Sequence, residues 1–260
     1  MKIYTKNELL DELKKIRDKG WIKNARYGNV GGVGNTLEDL LGIEENNLPL
    51  ANASEWELKC QRADTSALTT LFHMEPSPRA VRFVPKILLP KYGWKHELAG
   101  LKYSANEMSF RQTINGAGRT DRGFMIKVDR VNRKILVSFD YTYVDNRHKD
   151  WLNTVASRVG LAELNPQPYW GFDDLCHKAG TKLLNTLYIE ADVKEIEGEE
   201  YYHYKKIMVL QGFNFENFVR EIEKGNILVD FDARTGHNHG TKFRLRQNIF
   251  PNLYSVVEEV

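Results

Sequence analysis

The 260 residues are 42% hydrophobic, with 37 lysines and arginines against 35 acids and a net charge of +2. That length and apolar content support one large domain or two lobes and exclude a disordered chain, while the near-neutral balance excludes DNA binding by bulk charge, so a locally basic surface would have to supply it. Two cysteines are too few for a disulfide framework or a four-ligand zinc site, and no apolar run is long enough for a membrane helix; with no apolar signal core in Met1 to Lys6, a cytoplasmic protein that engages no membrane is expected.

In chain order, the apolar positions of residues 7–19 recur at helical spacing and stop at Gly20, which predicts an amphipathic helix. The glycine-rich stretch from Gly28 to Thr36 invites a phosphate-loop reading, but Asn29 and Asn35 stand where a Walker loop needs Gly and Lys. A loop that approaches a DNA backbone at a helix start fits better. In Gly34-Asn35-Thr36-Leu37-Glu38-Asp39-Leu40-Leu41, Asn35 or Thr36 can cap a helix whose first turn holds Glu38 and Asp39, where acids suit the dipole.

Ser54 to Lys59 alternates polar with apolar, the period-2 pattern of a half-buried strand. Trp56 and Leu58 then face a core, and Glu55, Glu57 and Lys59 share the opposite face. Two carboxylates with an ammonium beside them suit a divalent cation, which takes hard oxygen ligands and leaves room for water and phosphate. Acid-x-Lys alone is weak: it also occurs at Glu12-Leu13-Lys14, on the first helix, and at Asp192-Val193-Lys194.

Ala67 to Phe72 predicts a second core strand. Beyond it, Pro76, Pro78, Pro85 and Pro90 are expected to break any regular element. Arg79, Arg82, Lys86, Lys91 and Lys95 gather there with Tyr92 and Trp94, which reads either as a surface following phosphates or as an ordinary solvated loop. Residues 105–118 read as another loop, able to close over DNA. Phe124–Asp129 and Lys134–Phe139 predict a hairpin joined by Arg130 to Arg133. A helix over 173–185, strands over 187–193 and 201–210, and a helix over 215–223 ended by Gly225 follow. Helices interspersed with strands give an α/β or α+β class.

The last forty residues hold a second polar constellation, Asp232 to Arg246. Arginine's fork matches guanine O6 and N7, and an acid can accept from cytosine N4, so Asp232, Arg234, Arg244 and the histidines His237 and His239 suit G·C readout, with Lys242 and Arg246 alongside. A His-x-His pair near an Asp can also hold a transition metal, and a basic loop can grip phosphates without reading bases. The letters His237-Asn238-His239 carry no weight as an HNH nuclease signature, whose three residues are dispersed through a different fold.

Gly-Asn-x-Gly, Thr-Leu-Glu-Asp-Leu-Leu at 36–41, Asn-Leu and Glu57-Leu58-Lys59, continued by Ala67 to Phe72 and by His237 to Arg244, resemble the MvaI/BcnI group of type II restriction endonucleases. These are relatives of the mismatch-repair nickase MutH within the PD-(D/E)xK nucleases. The resemblance spans nearly the whole chain. It implies a restriction-endonuclease-like mixed sheet flanked by helices, in two lobes around a DNA cleft: 1–195 mainly catalytic and 196–260 mainly for recognition. It also implies a monomer that uses Mg²⁺ to cut duplex DNA at a short C/G-rich site by sequential nicking, paired with a cognate DNA methyltransferase. The metal would be held at the Asn52 position and by Glu57, with Lys59 assisting the nucleophile, Glu38 supporting from its helix, and the Asp232 to Arg246 segment carrying recognition. One position departs from the pattern: an Asp is usual five residues before the glutamate, and here Asn52 stands. Glu55 replaces it, or the chain is an engineered Asp→Asn form, or the natural protein is impaired. A non-cutting DNA-binding protein and a MutH-like repair nickase are the alternative functions.

Overall fold

The computed structural model describes residues 4–26, 32–43, 56–63 and 65–260. In chain order the elements are α1 (Lys6–Asp18), β1 (Ile22–Lys23), α2 (Gly32–Leu41), β2 (Glu57–Arg62) and β3 (Leu68–His73), then a π-helical segment (Val84–Tyr92), β4 (Trp94–Lys95), β5 (Met108–Ile114), β6 (Arg122–Asp129) and β7 (Lys134–Val144). There follow α3 (Lys149–Val159), β8 (Tyr169–Gly171), α4 (Phe172–Leu183), β9 (Asn185–Ile196), β10 (Glu199–Phe213), α5 (Phe215–Glu223), β11 (Ile227–Arg234), β12 (His237–Arg246) and β13 (Tyr254–Glu259), with short 3-10 turns between some of them. The mixed α and β content matches the expected class.

Two compact units divide the chain, and both are discontinuous: residues 1–69, 178–217 and 246–260 form the first, 70–177 and 218–245 the second. A cut at 195/196 does not follow them. It would fall inside β9, one residue before its end, and β9 pairs antiparallel with β10 from Glu199↔Ile196 to Gln211↔Asn185, both strands lying in the first unit.

In that first unit the sheet runs β1-β10-β9-β2, with β13 also on β10. Every pairing is antiparallel except β2 with β9, which is parallel and starts at Glu57↔Thr186. Helix α1 opens with a capping box: Thr5 Oγ1 accepts from Glu8 N, and the Glu8 carboxylate accepts from Thr5 N. It buries Leu9, Leu13 and Ile16 with Leu37 and Leu41 of α2 against Trp56, Leu58, Ile189 and Tyr204. Trp56 and Leu58 thus face the core as their alternation predicted.

Helix α2 begins at Gly32, earlier than a cap at Asn35 or Thr36. A Cβ at Gly32 would stand 2.8 Å from Tyr202 Oη and 3.0 Å from Asn24 Nδ2, so a larger residue there would make those side chains shift. Thr36 is buried inside the helix and bonds Asn24. Glu38 and Asp39 therefore lie past the first turn, and Asp39 takes an ion pair from Arg26 at 2.6 Å. Gly28 to Gly31 lie outside the described residues.

Two sheets make up the second unit, β3-β12-β11-β5-β4 and β6-β7-β8, and it carries an aromatic core that includes Phe72, Phe110, Phe124, Phe139, Trp151, Trp170, Phe231 and Phe243. Two expectations fail there. Residues 108–114 are a strand, not a loop: Phe110 and Ile114 are fully buried while Arg111 is exposed, an alternation hidden by the polar residues between them. The proline-rich crossing does contain a regular element, the π-helical segment. Pro85 sits at its start, where a helix has no use for its N–H, and Phe83, Val84, Leu88 and Leu89 are buried. Tyr92 is buried too, against Phe124 and Phe139, and is no surface aromatic.

Truncating a fully buried phenylalanine leaves a cavity and costs about 3–5 kcal/mol. Phe110→Ala should therefore lower unfolding free energy by about that much in urea. A loss below about 1 kcal/mol would mean that residues 108–114 are not a core strand.

Candidate active site and polar strand face

The acid-x-lysine pair sits where β2 starts along β9. Glu57 and Lys59 project from one strand face, and Glu57 is 1% exposed. An isolated buried carboxylate would be costly, and two ammonium groups offset that cost: Lys59 Nζ is 2.7 Å from Oε1 and Lys182 Nζ is 3.2 Å from Oε2. Even so, Oε2 makes no hydrogen bond, so Lys182 is a Coulombic neighbour off the bonding direction. Lys182 comes from the last turn of α4, three residues before β9, and the Glu57↔Thr186 pairing brings that turn to the site. Below lies a buried pair, Thr186 Oγ1 and Tyr254 Oη, 2.7 Å apart. Burial pushes the Tyr254 phenol up, and the negative charge of Glu57 adds to this.

The remaining predicted site residues are not all placed. Asn52 and Glu55 lie outside the described residues. Glu38, on α2, acts on Cys60: loss of solvent pushes that thiol up, and the Glu38 charge pushes the same way. Cys60 belongs with the apolar face of β2, packed against the helical core, while Glu57 and Lys59 lie on the other face. Among the described residues no three His, Cys, Asp or Glu side chains gather as a metal group. This includes His237 and His239. They meet edge to face at 4.2 Å between ring centres, exposed at the β11–β12 turn.

The Asp232 to Arg246 constellation lies on strands β11 and β12 and the turn between them. Apolar residues Val229, Phe231 and Ala233 of β11, with Phe243 and Leu245 of β12, point into the core, which leaves Asp230, Asp232, Arg234, Lys242 and Arg244 on the other face. Strand β5 extends it, because Arg111 stands opposite Asp232 and Thr113 opposite Asp230. Each base on this face has an acid: Arg111 and Lys242 flank Asp232 at 3.6 and 3.8 Å, and Arg244 lies 3.4 Å from Asp230. Arg234 donates to the buried Glu107 at 3.0 Å and stacks 4.5 Å from the Tyr103 ring centre. Arg246 is exposed and belongs to the other unit.

Three participants were missed from sequence: Lys182, Glu107 and Arg111. Lys182 reads as an ordinary polar position of an amphipathic helix, and only its place just before a strand hinted otherwise. Glu107 and Arg111 were hidden by the reading of 105–118 as a loop.

An acid-x-lysine strand face in the mixed sheet of one unit and a charged strand face in the other are features of an endonuclease, and the comparisons with known proteins agree. The model of the MvaI/BcnI restriction endonuclease family matches residues 10–254, and the chain belongs to that family. It is a type II restriction endonuclease, a site-specific deoxyribonuclease. Among solved structures, restriction endonuclease MvaI in complex with its cognate DNA is similar at a TM-score of 0.76 and 25% identity, covering 98% of this chain and 99% of the other. MvaI without DNA is similar at 0.57 and 25% identity, with both chains fully covered. No curated protein sequence matches.

Proposed function

We propose that the chain hydrolyses phosphodiester bonds of duplex DNA at a short C/G-rich site, using Mg²⁺ and nicking the strands one after the other as a monomer. The observation that carries this is Glu57: a buried carboxylate with one oxygen on Lys59 and the other without a hydrogen bond. A hard oxygen with spare capacity beside an ammonium fits a divalent cation. Glu57 Oε2 would be its ligand in β2, with the rest of the shell from the Asn52 and Glu55 stretch, phosphate and water. A cation bound there supplies Lewis-acid polarisation of the phosphate and a more acidic water. Lys59, 20% exposed, is held by Glu57 at 2.7 Å, where its ammonium can orient the attacking water and offset charge on the phosphoryl oxygens.

The first unit would carry cleavage, with Glu38 in support from α2. The second would read bases through Asp232, Arg234, Lys242 and Arg244, flanked by His237 and His239, while Arg246 would serve from the cleavage unit. The solved MvaI complex with cognate DNA supports a duplex substrate. The resemblance that implied a PD-(D/E)xK, MutH-like enzyme also implies a methyltransferase that protects host sites. Asn52, where an Asp is usual, favours a second reading: a chain that binds its site and cuts poorly.

Lys59→Ala should abolish Mg²⁺-dependent plasmid cleavage while leaving sequence-specific binding intact in gel-shift titrations. Cleavage at the parent rate would remove Lys59 from the active site.

Arg234→Ala and Arg244→Ala should each cost about 1–3 kcal/mol of affinity for the cognate site if the arginine is bidentate to guanine, and much less on random duplex. Equal losses on both would make them phosphate contacts.

Two further variants decide between the cation ligands. If Glu55 takes the usual Asp's place, the parent chain cuts well, Glu55→Gln inactivates it and Asn52→Asp changes little. If Glu55 does not reach the cation, the parent cuts poorly and Asn52→Asp raises cleavage by orders of magnitude. No cleavage by any form leaves the binding-only reading.

A further inference from the structure

Lys182 is the component of the site with no counterpart in the acid-x-lysine pattern. Its side chain is 16% exposed and its ammonium lies 3.2 Å from the Glu57 oxygen that has no hydrogen bond. With Lys59 at 2.7 Å from the other oxygen, one buried carboxylate faces two positive charges. A divalent cation approaching Oε2 thus meets an ammonium already at that oxygen and must displace it or share the carboxylate with it. Like charges at such separations in a poorly solvated site repel strongly.

Resting on the cation reading of Glu57, we propose that Lys182 is a positioning residue that holds Glu57 against cation loading, so that a divalent cation binds the site weakly until further negative charge enters with a DNA phosphate. Lys182 acts through Glu57 and touches no reacting atom. The placement makes this direct: α4 ends at Leu183, β9 starts at Asn185, and the pairing of Thr186 with Glu57 fixes the last helical turn against the carboxylate. The device keeps the metal affinity of the nuclease low while it is free of substrate.

The test uses Mn²⁺ binding to the DNA-free protein, followed by calorimetry or electron paramagnetic resonance. Lys182→Met, which keeps the apolar stem, should lower the Mn²⁺ dissociation constant by about tenfold or more, within the usual range for coupled sites. Lys182→Arg should bind like the parent, because the charge is retained. Adding Glu57→Gln to Lys182→Met should abolish the gain. If Lys182→Met matches the parent while Glu57→Gln weakens binding in both backgrounds, the role of Lys182 is overturned and the cation site stands. If Glu57→Gln changes nothing in any background, the cation reading itself fails.

A second measurement needs no variant. Reductive methylation of the unaltered protein, read by mass spectrometry, should label Lys182 several-fold faster in saturating Mn²⁺ than without it, relative to the exposed Lys205. Equal labelling at both conditions overturns the proposal even where Lys182→Met does not fold.

Discussion

Putting a carboxylate at 1% exposure at the start of a strand creates a demand that the surrounding chain has to meet. An ionised group removed from water needs opposite charge or donors close by, or it gives up its charge. For Glu57 the answer comes from two directions: Lys59 two residues along the same strand, and Lys182 from a helix more than a hundred residues later. The parallel pairing of β2 with β9 makes the second possible, since it lays the α4–β9 junction beside Glu57. The core on the other face of β2, with Leu58 against α1 and α2, then fixes which way Glu57 can point.

In the second unit the same logic runs over a surface. The β5–β11–β12 face alternates acids and bases across the strands, while its reverse side buries Phe110, Phe231 and Phe243. Aromatic packing sets the register, and the register decides that Arg111 meets Asp232 and that Lys242 lies across from Asp230. Arg234 is the most constrained of the set, held edge-on by Glu107 and on its flat side by Tyr103.

Much of this was legible where a single local rule decides. The alternation of Ser54 to Lys59 placed Trp56 and Leu58 in the core, and the spacing of Leu9, Leu13 and Ile16 gave α1 with its stop at Gly20. Long-range pairing was not legible. Nothing near Lys182 points to Glu57, and nothing in Asp232 to Arg246 tells that its partners are Glu107 and Arg111. Local rules also misled where tertiary packing overrode them. Pro85 and Pro90 did not prevent a helical segment because Val84, Leu88 and Leu89 bury against the core, and Asn35 and Thr36 lie inside α2, which already runs from Gly32. The boundary expected at 195/196 came from reading the chain in order, whereas the units interleave.

The pairing of Arg111, Arg234, Lys242 and Arg244 with acids on the β5–β11–β12 face changes what those side chains exchange when they meet a polyanion. A lysine or arginine bathed in solvent releases condensed counterions from DNA and gains entropy that salt can erase. An arginine already against a carboxylate gives up a protein partner instead, and the carboxylate left behind needs a donor of its own. Phosphates, the part of the duplex common to every sequence, repel such a carboxylate. A base pair whose edge presents an amino group to the acid and acceptors to the arginine relieves both at once. On this face, internal neutrality works as a filter: attachment stays weak until a partner replaces both halves of each pair.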